Sequence, residues 1–374
     1  MKILIDATAI PEDRGGVGRY VDALLPALVA EGADLVVACQ ARDTEVVSGL
    51  VPSAEVVPAP TRAAGRPARL LWEQTGLVSL VRSTGAQVLH SPHYTMPRFS
   101  PVPVVVTLHD ATFFSHPEVH SPVKARFFRS ATRTAVRRAA ALVVPSRATR
   151  DEVVRYTHAS PDAFHVAYHG VDRALFHPVD EAEQERVRQT LDLHGRPYVA
   201  FLGTLEPRKN VPALVRGWVD AVRDLPEPPA LLLAGAPGWD EEVDPEIARV
   251  PEGLVVRRTG YLPLADLAGY LSGALVVAYP TLGEGFGLPV LEAMSCGAAV
   301  LTTRELSMPE VGGDAVDYCG TDDASISVAL RTLLTEPEHR AQLAAEATAR
   351  AGEFTWRSAA RTHLAAYEAA LSVA

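Results

Sequence analysis

Short apolar runs separated by helix-like stretches occur in two consecutive blocks, and this alternation restricts the possible fold more than any other feature of the sequence. The first block has runs at residues 2–7, 34–39, 55–57, 87–90, 102–108 and 141–144; the second has them at 198–202, 230–234, 254–259, 275–279, 298–302 and 316–319. Such runs are typical of parallel strands covered by helices on both faces. The sequence therefore predicts an α/β fold with two Rossmann-like domains, each built on a parallel, doubly wound sheet.

The length of the chain agrees with two domains. It has 374 residues, of which 48% are hydrophobic, and a single hydrophobic core stops growing below that length. A glycine- and proline-containing stretch at 168–180 separates the two blocks. We expect an N-terminal domain at 1–175, a C-terminal domain at 176–353 and a final helix at 354–374 that packs back toward the first domain. One face of that helix carries Trp356, Ala360, Leu364 and Tyr367.

Composition excludes several classes of protein. The sequence has no apolar run long enough to span a membrane and no secretory signal at its start, so we expect a cytoplasmic location. The cysteines, Cys39, Cys296 and Cys319, are far apart and lie in apolar surroundings, which indicates reduced, buried thiols. A net charge of −10 and the lack of aromatic residues between basic ones disfavour a nucleic-acid partner.

One segment is strongly basic although the chain is acidic. No acidic residue occurs between Glu118 and Asp151. The basic residues in this interval are Lys124, Arg126, Arg129, Arg133, Arg137, Arg138, Arg147 and Arg150. A solvated helix face is one explanation, but such faces normally carry both signs of charge. The other is peripheral contact of segment 124–138 with an anionic surface, either lipid headgroups at the inner membrane face or a phosphorylated acceptor.

Two carboxylates frame a glycine-rich turn in the stretch "TLGEGFGLPVLEAM". The turn follows a predicted buried strand, and ligands of open α/β sheets bind at that edge. Gly285 and Gly287 allow close approach of a ligand, and the helix that begins after Leu288 offers free N–H groups to a phosphate. Glu292 would then accept hydrogen bonds from ribose hydroxyls, while Glu284 would face whatever the phosphate carries. The alternative is an exposed loop acid and an acid favoured by the helix dipole.

Other candidate residues also follow predicted strands. In "GTLEPRKN", Arg208 and Lys209 could hold a diphosphate, or they could be an ordinary basic surface pair. The absence of any Asp-x-Asp pair removes the usual carboxylate grip on a divalent ion, so we predict no metal site. "GGVGRY" lacks the third glycine of a dinucleotide-binding fingerprint, which leaves Gly15 and Gly16 as a flexible backbone at a site edge.

These motifs resemble those of a known enzyme family. "EGFGLPVLE" is similar to the E-x7-E motif of the retaining GT-B glycosyltransferases, in particular glycosyltransferase family 4. The segments "GGVGRY", "VTLHD", "GVD", "GTLEPRKN" and "GYL" occur in the family's order along essentially the whole chain. The resemblance implies a GT-B fold with two Rossmann-like domains facing across a cleft. It also implies a metal-independent, cofactor-free hexosyltransferase that retains the anomeric configuration, with an acceptor-side N-terminal domain and a nucleotide-sugar-binding C-terminal domain.

The resemblance also implies roles for individual residues. His109, at the end of a Val-rich strand, would contact the donor hexose and donate a hydrogen bond in the transition state. The catalytic set is then His109, Arg208, Lys209 and Glu284. The substrate-binding set is Gly15, Gly16, Gly203, Tyr261, Leu262, Gly285, Phe286, Gly287, Leu288 and Glu292, of which Gly203, Tyr261, Leu262 and Glu292 would lie near the base and ribose.

A narrower similarity concerns the donor. "LHDATFFSHPE", "GTLEPRKN" and "MPEVGGDA" resemble mannosyltransferases that use GDP-mannose in polysaccharide assembly. We therefore expect transfer of mannose from GDP-mannose to a hydroxyl acceptor in glycan or glycoconjugate biosynthesis. The alternative is a family 4 transferase that uses a UDP- or dTDP-sugar on a natural-product or lipid acceptor. A nucleotide-sugar epimerase, a phosphorylase-like enzyme and a non-catalytic sugar-binding protein explain the cationic pair and the two-acid turn less well.

Overall fold

The described residues divide into two compact units. The computed structural model of the chain describes residues 1–12, 14–193 and 195–373; positions 13, 194 and 374 lie outside the described residues. The first unit comprises Met1–Gly170 and Thr355–Ala374, and the second comprises Val171–Phe354. The sequence-based boundaries, after residues 175 and 353, differ from these by five residues and one residue respectively.

Within the described residues, the first unit contains a sheet of seven parallel strands in the order β3-β2-β1-β4-β5-β6-β7. The strands are β1 Lys2–Asp6, β2 Asp34–Cys39, β3 Glu55–Pro58, β4 Val88–Ser91, β5 Val104–Thr107, β6 Ala141–Val144 and β7 Phe164–Val166. The sequence analysis did not predict β7, because its three residues are too short a run to be recognised by periodicity.

The second unit contains a parallel sheet in the order β10-β9-β8-β11-β12-β13, with six strands among the described residues. Its strands are β8 Tyr198–Leu202, β9 Ala230–Ala234, β10 Val256–Gly260, β11 Val276–Tyr279, β12 Val300–Thr303 and β13 Asp317–Cys319. These strands lie within about two residues of the predicted runs, which is the usual uncertainty of an element boundary. The two separate parallel sheets confirm the predicted α/β class.

Helices connect the strands of both sheets. They are α1 Gly15–Ala30, α2 Thr44–Leu50, α3 Arg66–Gln74, α4 Gly76–Thr84, α5 Thr112–Ser115, α6 Pro122–Arg138, α7 Arg147–Thr157, α8 Glu181–Thr190, α9 Val211–Val222, α10 Val243–Ala248, α11 Leu267–Ser272, α12 Leu288–Ser295, α13 Met308–Gly312, α14 Asp323–Thr335, α15 Pro337–Ala351 and α16 Trp356–Val373. The last of them, α16, packs against α1 in the first unit.

Hydrophobic cores cover both faces of the first sheet. Alternate residues of β1 enter different clusters: Ile3 and Ile5 pack with residues of α1 and α16, whereas Leu4 packs with residues of the opposite face. In α16, Ala360 and Tyr367 belong to the first of these clusters. Burial on both faces explains why the strands read as continuous apolar runs in the sequence.

Gly170 lies where the chain leaves the first unit. A Cβ atom at this position would overlap the backbone nitrogen of Trp356, at the start of α16. Only glycine permits this approach of two backbones. The glycine of the "GVD" segment therefore has a packing reason that does not involve a ligand.

Two further expectations concern the state of the cysteines and the presence of membrane-spanning helices. Cys39, Cys296 and Cys319 are free and buried, as predicted. In the part of the chain that the structure describes, none of the helices combines the length and the apolar character needed to cross a membrane.

Strand order locates the place where each sheet can bind a ligand. In the first sheet the order reverses between β1 and β4, and in the second it reverses between β8 and β11. The loops that follow the two central strands diverge at such a point and leave a crevice at the carboxyl edge of the sheet. In the second unit these loops are the segments after Leu202 and after Tyr279.

Candidate active site

The loops after β8 and β11 bring three of the predicted catalytic residues together. Arg208 and Lys209 lie in a 3-10 turn, Pro207–Lys209, after β8. Glu284 lies in the loop between β11 and α12. Its side chain forms ion pairs with both cations, through Oε2 to Arg208 Nη1 and through Oε1 to Lys209 Nζ. Residues 75 positions apart in sequence thus form one charged cluster at the switch point.

Tyr279, the last residue of β11, belongs to the same cluster. Its hydroxyl accepts a hydrogen bond from Lys209 Nζ and donates one to Glu284 Oε1 at 2.9 Å. The Lys209 ammonium also lies 4.9 Å from the centroid of the Tyr279 ring. The sequence analysis missed this residue because Tyr279 was counted as part of an apolar strand. The available indication was the polar hydroxyl of Tyr279 at the end of a central strand. A polar side chain at a strand end was also the reason for predicting His109 as a site residue.

Burial and charge together set the ionisation of the cluster. Burial raises the pKa of Glu284, but the Arg208 and Lys209 charges outweigh it and lower that pKa to about 2. Burial lowers the pKa of Lys209, and the Glu284 charge opposes this effect. Burial and the Glu284 charge raise the pKa of Tyr279, so its hydroxyl keeps its proton and can donate. At neutral pH the cluster therefore holds an ionised carboxylate between two cations.

Backbone contacts join the two loops. The carbonyl oxygen of Arg208 accepts hydrogen bonds from Leu282 N at 2.9 Å and from Thr281 Oγ1 at 3.0 Å. Arg208 Nη1 in turn donates to Gly283 O at 2.9 Å. The hydroxyl of Ser307 lies 2.8 Å from Glu284 O and 2.9 Å from Phe286 O. The positions of Arg208 and Glu284 are therefore fixed by their own backbones as well as by their charges.

The start of α12 has the local structure that the sequence predicts. Gly287 precedes the helix with a φ of 101°, in the left-handed region that favours glycine. Phe286 is buried, and Leu288 and Pro289 form the first turn. Gly285 lies between Glu284 and Phe286 in this loop and is also buried. The predicted turn and helix start are confirmed as local structure.

The remaining predicted residues of the nucleotide site lie along the same edge of the second sheet. Gly203 follows β8, and Tyr261 and Leu262 follow β10, an edge strand. Tyr261 is 76% exposed, whereas Glu292, the fifth residue of α12, is 2% exposed. These residues follow parallel strands of one sheet, with β9 between β10 and β8, and none of the contacts described above links them to the Arg208–Lys209–Glu284 cluster.

The other predicted residues lie in the first unit. Gly15 and Gly16 are exposed and begin α1. His109 is half-buried after β5, and its Nε2 lies 2.7 Å from the carbonyl oxygen of Pro92. Because a carbonyl only accepts, Nε2 carries the ring proton. Burial lowers the pKa of His109, against the effect of this bond and of Asp110. A neutral His109 therefore presents Nδ1 as an acceptor, which differs from the donor role expected from the sequence.

The described residues were also compared with the arrangements that bind metal ions in proteins. Across residues 1–12, 14–193 and 195–373, no three His, Cys, Asp or Glu side chains are arranged so that they could hold a metal. The charges at the switch point are instead the ion pairs already described, with Glu206 as a further partner of Arg208 at 3.4 Å.

Comparison with protein families and with known proteins gives consistent matches. Residues 14–175 match the model of Glycosyltransferase Family 4, and residues 183–350 match that of Glycosyl transferases group 1. The O-antigen chain mannosyltransferase B of Escherichia coli is 31% identical over 288 residues, which are 75% of this chain and 74% of that protein. The two family models extend over both units and include every predicted site residue.

Solved structures share the fold at lower sequence identity. Sucrose-phosphate synthase from Thermosynechococcus elongatus superposes with a TM-score of 0.81 and 19% identity over 100% of both chains. Anabaena HepE in complex with UDP and glucose gives a TM-score of 0.77 and 19% identity over 98% of each chain. The parallel sheets of both units thus confirm the predicted GT-B fold, and the matches to family and relative show that this chain belongs to the family 4, group 1 glycosyltransferases.

Proposed function

We propose that this glycosyltransferase moves mannose from GDP-mannose to a hydroxyl acceptor in glycan or glycoconjugate biosynthesis, with retention of the anomeric configuration. The observation that carries the proposal is the cluster of Arg208, Lys209 and Glu284 at the switch point of the second sheet. Two cations held at that edge are suited to a diphosphate, and a guanidinium gives a planar, two-pronged contact that an ammonium does not.

The chemistry assigned to these residues is stabilisation of a leaving group. In the reaction the bond between the sugar C1 and the diphosphate oxygen breaks, and a bond from C1 to the acceptor oxygen forms on the same face. The acceptor proton passes to the departing phosphate. Negative charge grows on the diphosphate as the bond breaks, and one preorganised donor aimed at such a charge is worth about 3 kcal/mol. Arg208 and Lys209 supply this stabilisation with their own charges.

The carboxylates and His109 are assigned to the sugars. Glu284 keeps Arg208 and Lys209 in place and contacts the donor hexose, and Glu292 binds the ribose hydroxyls from within α12. His109 contacts the hexose as a neutral acceptor through Nδ1, in keeping with its Nε2 bond to Pro92. Gly15 and Gly16 approach the donor phosphate and the acceptor through their exposed backbone.

Mannose is favoured as the transferred sugar by the relative described above. That relative is an O-antigen chain mannosyltransferase at 31% identity. A UDP-sugar is the competing donor, because a structural neighbour carries UDP and glucose, and a dTDP-sugar is the other alternative from the sequence.

A thermal-shift series with GDP, UDP and dTDP at equal concentrations tests the donor. A ligand that binds the folded state stabilises it in proportion to the logarithm of its concentration over its Kd. GDP is expected to raise the melting temperature most, and the Arg208→Gln variant is expected to lose most of the shift with every nucleotide. A larger shift with UDP or dTDP than with GDP would refute the mannose assignment, and release of GDP from GDP-mannose by wild type provides the activity control.

We assign helix α6 to an anionic membrane surface. Val123 and Phe127 are 82% and 40% exposed on this helix. The exposed basic residues beside them are Lys124, Arg126, Arg133, Arg137 and Arg138. Arg129 is not counted among them because it is only partly exposed and its Nε donates to Phe113 O at 2.5 Å. Arg138 is exposed, although its Nη1 donates to Arg98 O at 2.9 Å. Exposed apolar and basic side chains on one helix are the combination that binds anionic lipid headgroups.

A further inference from the structure

Five buried polar side chains form a continuous hydrogen-bond chain in the first unit. They are Tyr20 of α1, His90 of β4, Thr107 of β5, and His363 and Tyr367 of α16, each at most 1% exposed. The links are Tyr367 Oη to His90 Nδ1 at 2.9 Å, His90 Nε2 to Thr107 Oγ1 at 2.9 Å, Thr107 Oγ1 to Tyr20 Oη at 3.0 Å, and Tyr20 Oη to His363 Nε2 at 2.7 Å. None of these residues has a role in the sugar chemistry proposed above.

The direction of every bond in this chain follows from its last member. His363 Nδ1 lies 2.7 Å from the carbonyl oxygen of Ala359, which can only accept, so Nδ1 carries the proton. In the neutral ring Nε2 must then accept from the Tyr20 hydroxyl. Tyr20 consequently accepts from Thr107, and Thr107 accepts from His90.

His90 thus donates through Nε2 and accepts from Tyr367 through Nδ1. The scheme requires neutral histidines, and burial lowers the pKa of His363 to about 4 and that of His90 well below its ordinary value. Each ring nitrogen and hydroxyl in the chain has a partner of the correct type. A buried network in which every member is satisfied holds its side chains in one arrangement.

The ring of Tyr20 connects this chain to His109. The two rings meet edge to face, with centroids 5.0 Å apart and an interplanar angle of 80°. Thr107 is the last residue of β5 and precedes His109 by two positions. The His109 ring also lies near the rings of His93, Tyr94 and His169, with centroids 5.8, 5.9 and 6.3 Å away, and its Nε2 bonds to Pro92 O. Among these rings that of Tyr20 lies nearest, so the orientation of the His109 ring depends on Tyr20 together with the hydrogen bond to Pro92.

We propose that Tyr20 is a positioning residue for His109, and that α16 holds Tyr20 in place through His363. This inference rests on the proposed contact of His109 with the donor hexose. With its hydroxyl fixed between Thr107 and His363, Tyr20 keeps the His109 ring in the orientation that directs Nδ1 away from Pro92. Without that bond the Tyr20 ring can move, and His109 can exchange between orientations of which only some suit the hexose.

The test compares Tyr20→Phe with Tyr198→Phe. Tyr198 is an equally buried tyrosine whose hydroxyl donates to Tyr270 O at 2.6 Å in the second unit, so the control loses a comparable bond away from His109. Nitrogen NMR of 15N-histidine-labelled protein reports the protonated nitrogen of His109, and loss of a resonance in His109→Gln assigns it. Release of GDP from GDP-mannose gives the rate.

Tyr20→Phe is expected to shift or broaden the His109 resonances and to lower turnover at least tenfold, while binding of free GDP stays within twofold of wild type. Tyr198→Phe should leave both the resonances and the turnover unchanged. If Tyr20→Phe does not fold, His363→Leu removes the acceptor of the Tyr20 hydroxyl and should give the same response. Unchanged His109 resonances, or unchanged turnover, in the folded variant would overturn the proposal. A wild-type enzyme that turns over no GDP-mannose would instead refute the proposed function, and the NMR comparison would still decide whether Tyr20 sets the ring.

Discussion

At the scale of single residues, Tyr279 contributes a neutral hydroxyl to a cluster whose other members are charged. The hydroxyl sits between the Lys209 ammonium and Glu284 Oε1 and exchanges hydrogen bonds with both. Hydrogen bonds to charged groups are stronger than those between neutral groups, and a buried charge that loses such a partner costs more. Tyr279 therefore helps to decide where Lys209 points when a diphosphate binds.

Tyr279→Phe tests this role with the loss of one oxygen atom. We expect turnover of GDP-mannose to fall about 10- to 100-fold, the equivalent of about 1.5–3 kcal/mol for a hydrogen bond to a charged group. Steady-state rates measure the effect. Tyr270→Phe is the matched control, because its buried hydroxyl bonds only neutral carbonyl groups, Phe201 O at 2.9 Å and Leu232 O at 3.0 Å. Equal losses of turnover in the two variants would mean that Tyr279 acts only through stability.

The two acids of the glycine-rich turn should fail in different ways. Glu284→Gln is expected to lose turnover while keeping most of its affinity for free GDP, because GDP has no hexose. Glu292→Gln is expected to weaken GDP itself. Calorimetric titration of GDP into both variants, paired with rates on GDP-mannose, separates the two effects. An equal loss of GDP affinity in Glu284→Gln would indicate that this acid acts solely by holding Arg208 and Lys209.

Sequence reasoning found the charged members of the cluster and missed the neutral ones for a physical reason. Arg208, Lys209 and Glu284 follow buried strands, and a charge in that position stands out from its surroundings. Tyr279 and Ser307 do not stand out, since a tyrosine suits a strand and a serine suits a turn. Ser307 contacts the carbonyls of Glu284 and Phe286 across more than twenty residues, a proximity that only the folded chain creates.

At the scale of elements, α6 combines an exposed apolar side chain with an excess of positive charge. Its Val123 side chain is 82% exposed, and no acidic residue balances its basic ones. Like charges on one helix repel each other, so this arrangement lowers the stability of the helix unless an anionic surface neutralises the charges. The sequence predicted this helix as a basic segment. The structure was needed to determine which of its basic side chains face solvent.

Liposome sedimentation tests the assignment of α6. Wild type should bind vesicles that contain an anionic phospholipid, bind neutral vesicles weakly, and lose binding as salt is raised. The Arg133→Glu, Arg137→Glu double variant should lose binding at least tenfold. The control is Arg62→Glu with Arg82→Glu, an equal charge change at exposed arginines outside α6. Equal binding of the two double variants to anionic vesicles would mean that α6 is an ordinary solvent-exposed helix.

Strands show where sequence reasoning about elements succeeds and where it fails. β8, at Tyr198–Leu202, coincides with its predicted run because five consecutive buried residues leave no ambiguity. β7, at Phe164–Val166, was missed, and only one of its three residues is buried. An edge strand of this kind is held by its pairing with β6, which is a tertiary contact and leaves little trace in the local sequence.

At the scale of the whole molecule, the histidines with lowered pKa values are concentrated in the first unit. Burial lowers the pKa of His93 to about 3 and that of His363 to about 4. Burial also lowers the pKa values of His90, His109, His165 and His169. In the second unit, by contrast, the Arg208 and Lys209 charges outweigh burial and lower the pKa of Glu284 to about 2, so this acid stays ionised over the same range.

These directions predict a loss of stability in mild acid that is confined to the first unit. A histidine whose pKa is lower in the folded state binds protons preferentially when unfolded, so the free energy of unfolding falls as pH drops below 6.5 toward the folded value. Each such group contributes up to about 1.4 kcal/mol per pH unit. Burial raises the pKa of Glu73 in the same unit, which opposes part of this loss.

Hydrogen exchange measured by mass spectrometry, corrected for the intrinsic pH dependence, checks this prediction. Peptides from 1–170 and from α16 should lose protection between pH 6.5 and about pH 4, whereas peptides from 171–354 should keep it down to about pH 4.5. His363→Gln should reduce the pH dependence in the first unit. A parallel loss of protection in both units would contradict the assignment of the effect to these histidines.

The return of α16 to the first unit has a consequence for the order in which the protein matures on the ribosome. The second unit is continuous in sequence, from Val171 to Phe354, so all of its strands have been synthesised before α16 is made. The core that contains Ile3 and Ile5 also contains Tyr367 and Ala370. Domains generally fold as they emerge, with the N-terminal one first. The first unit, most of which is translated first, therefore cannot complete its core until α16 has been synthesised. Until then its apolar surface is accessible to chaperones, proteases and neighbouring nascent chains.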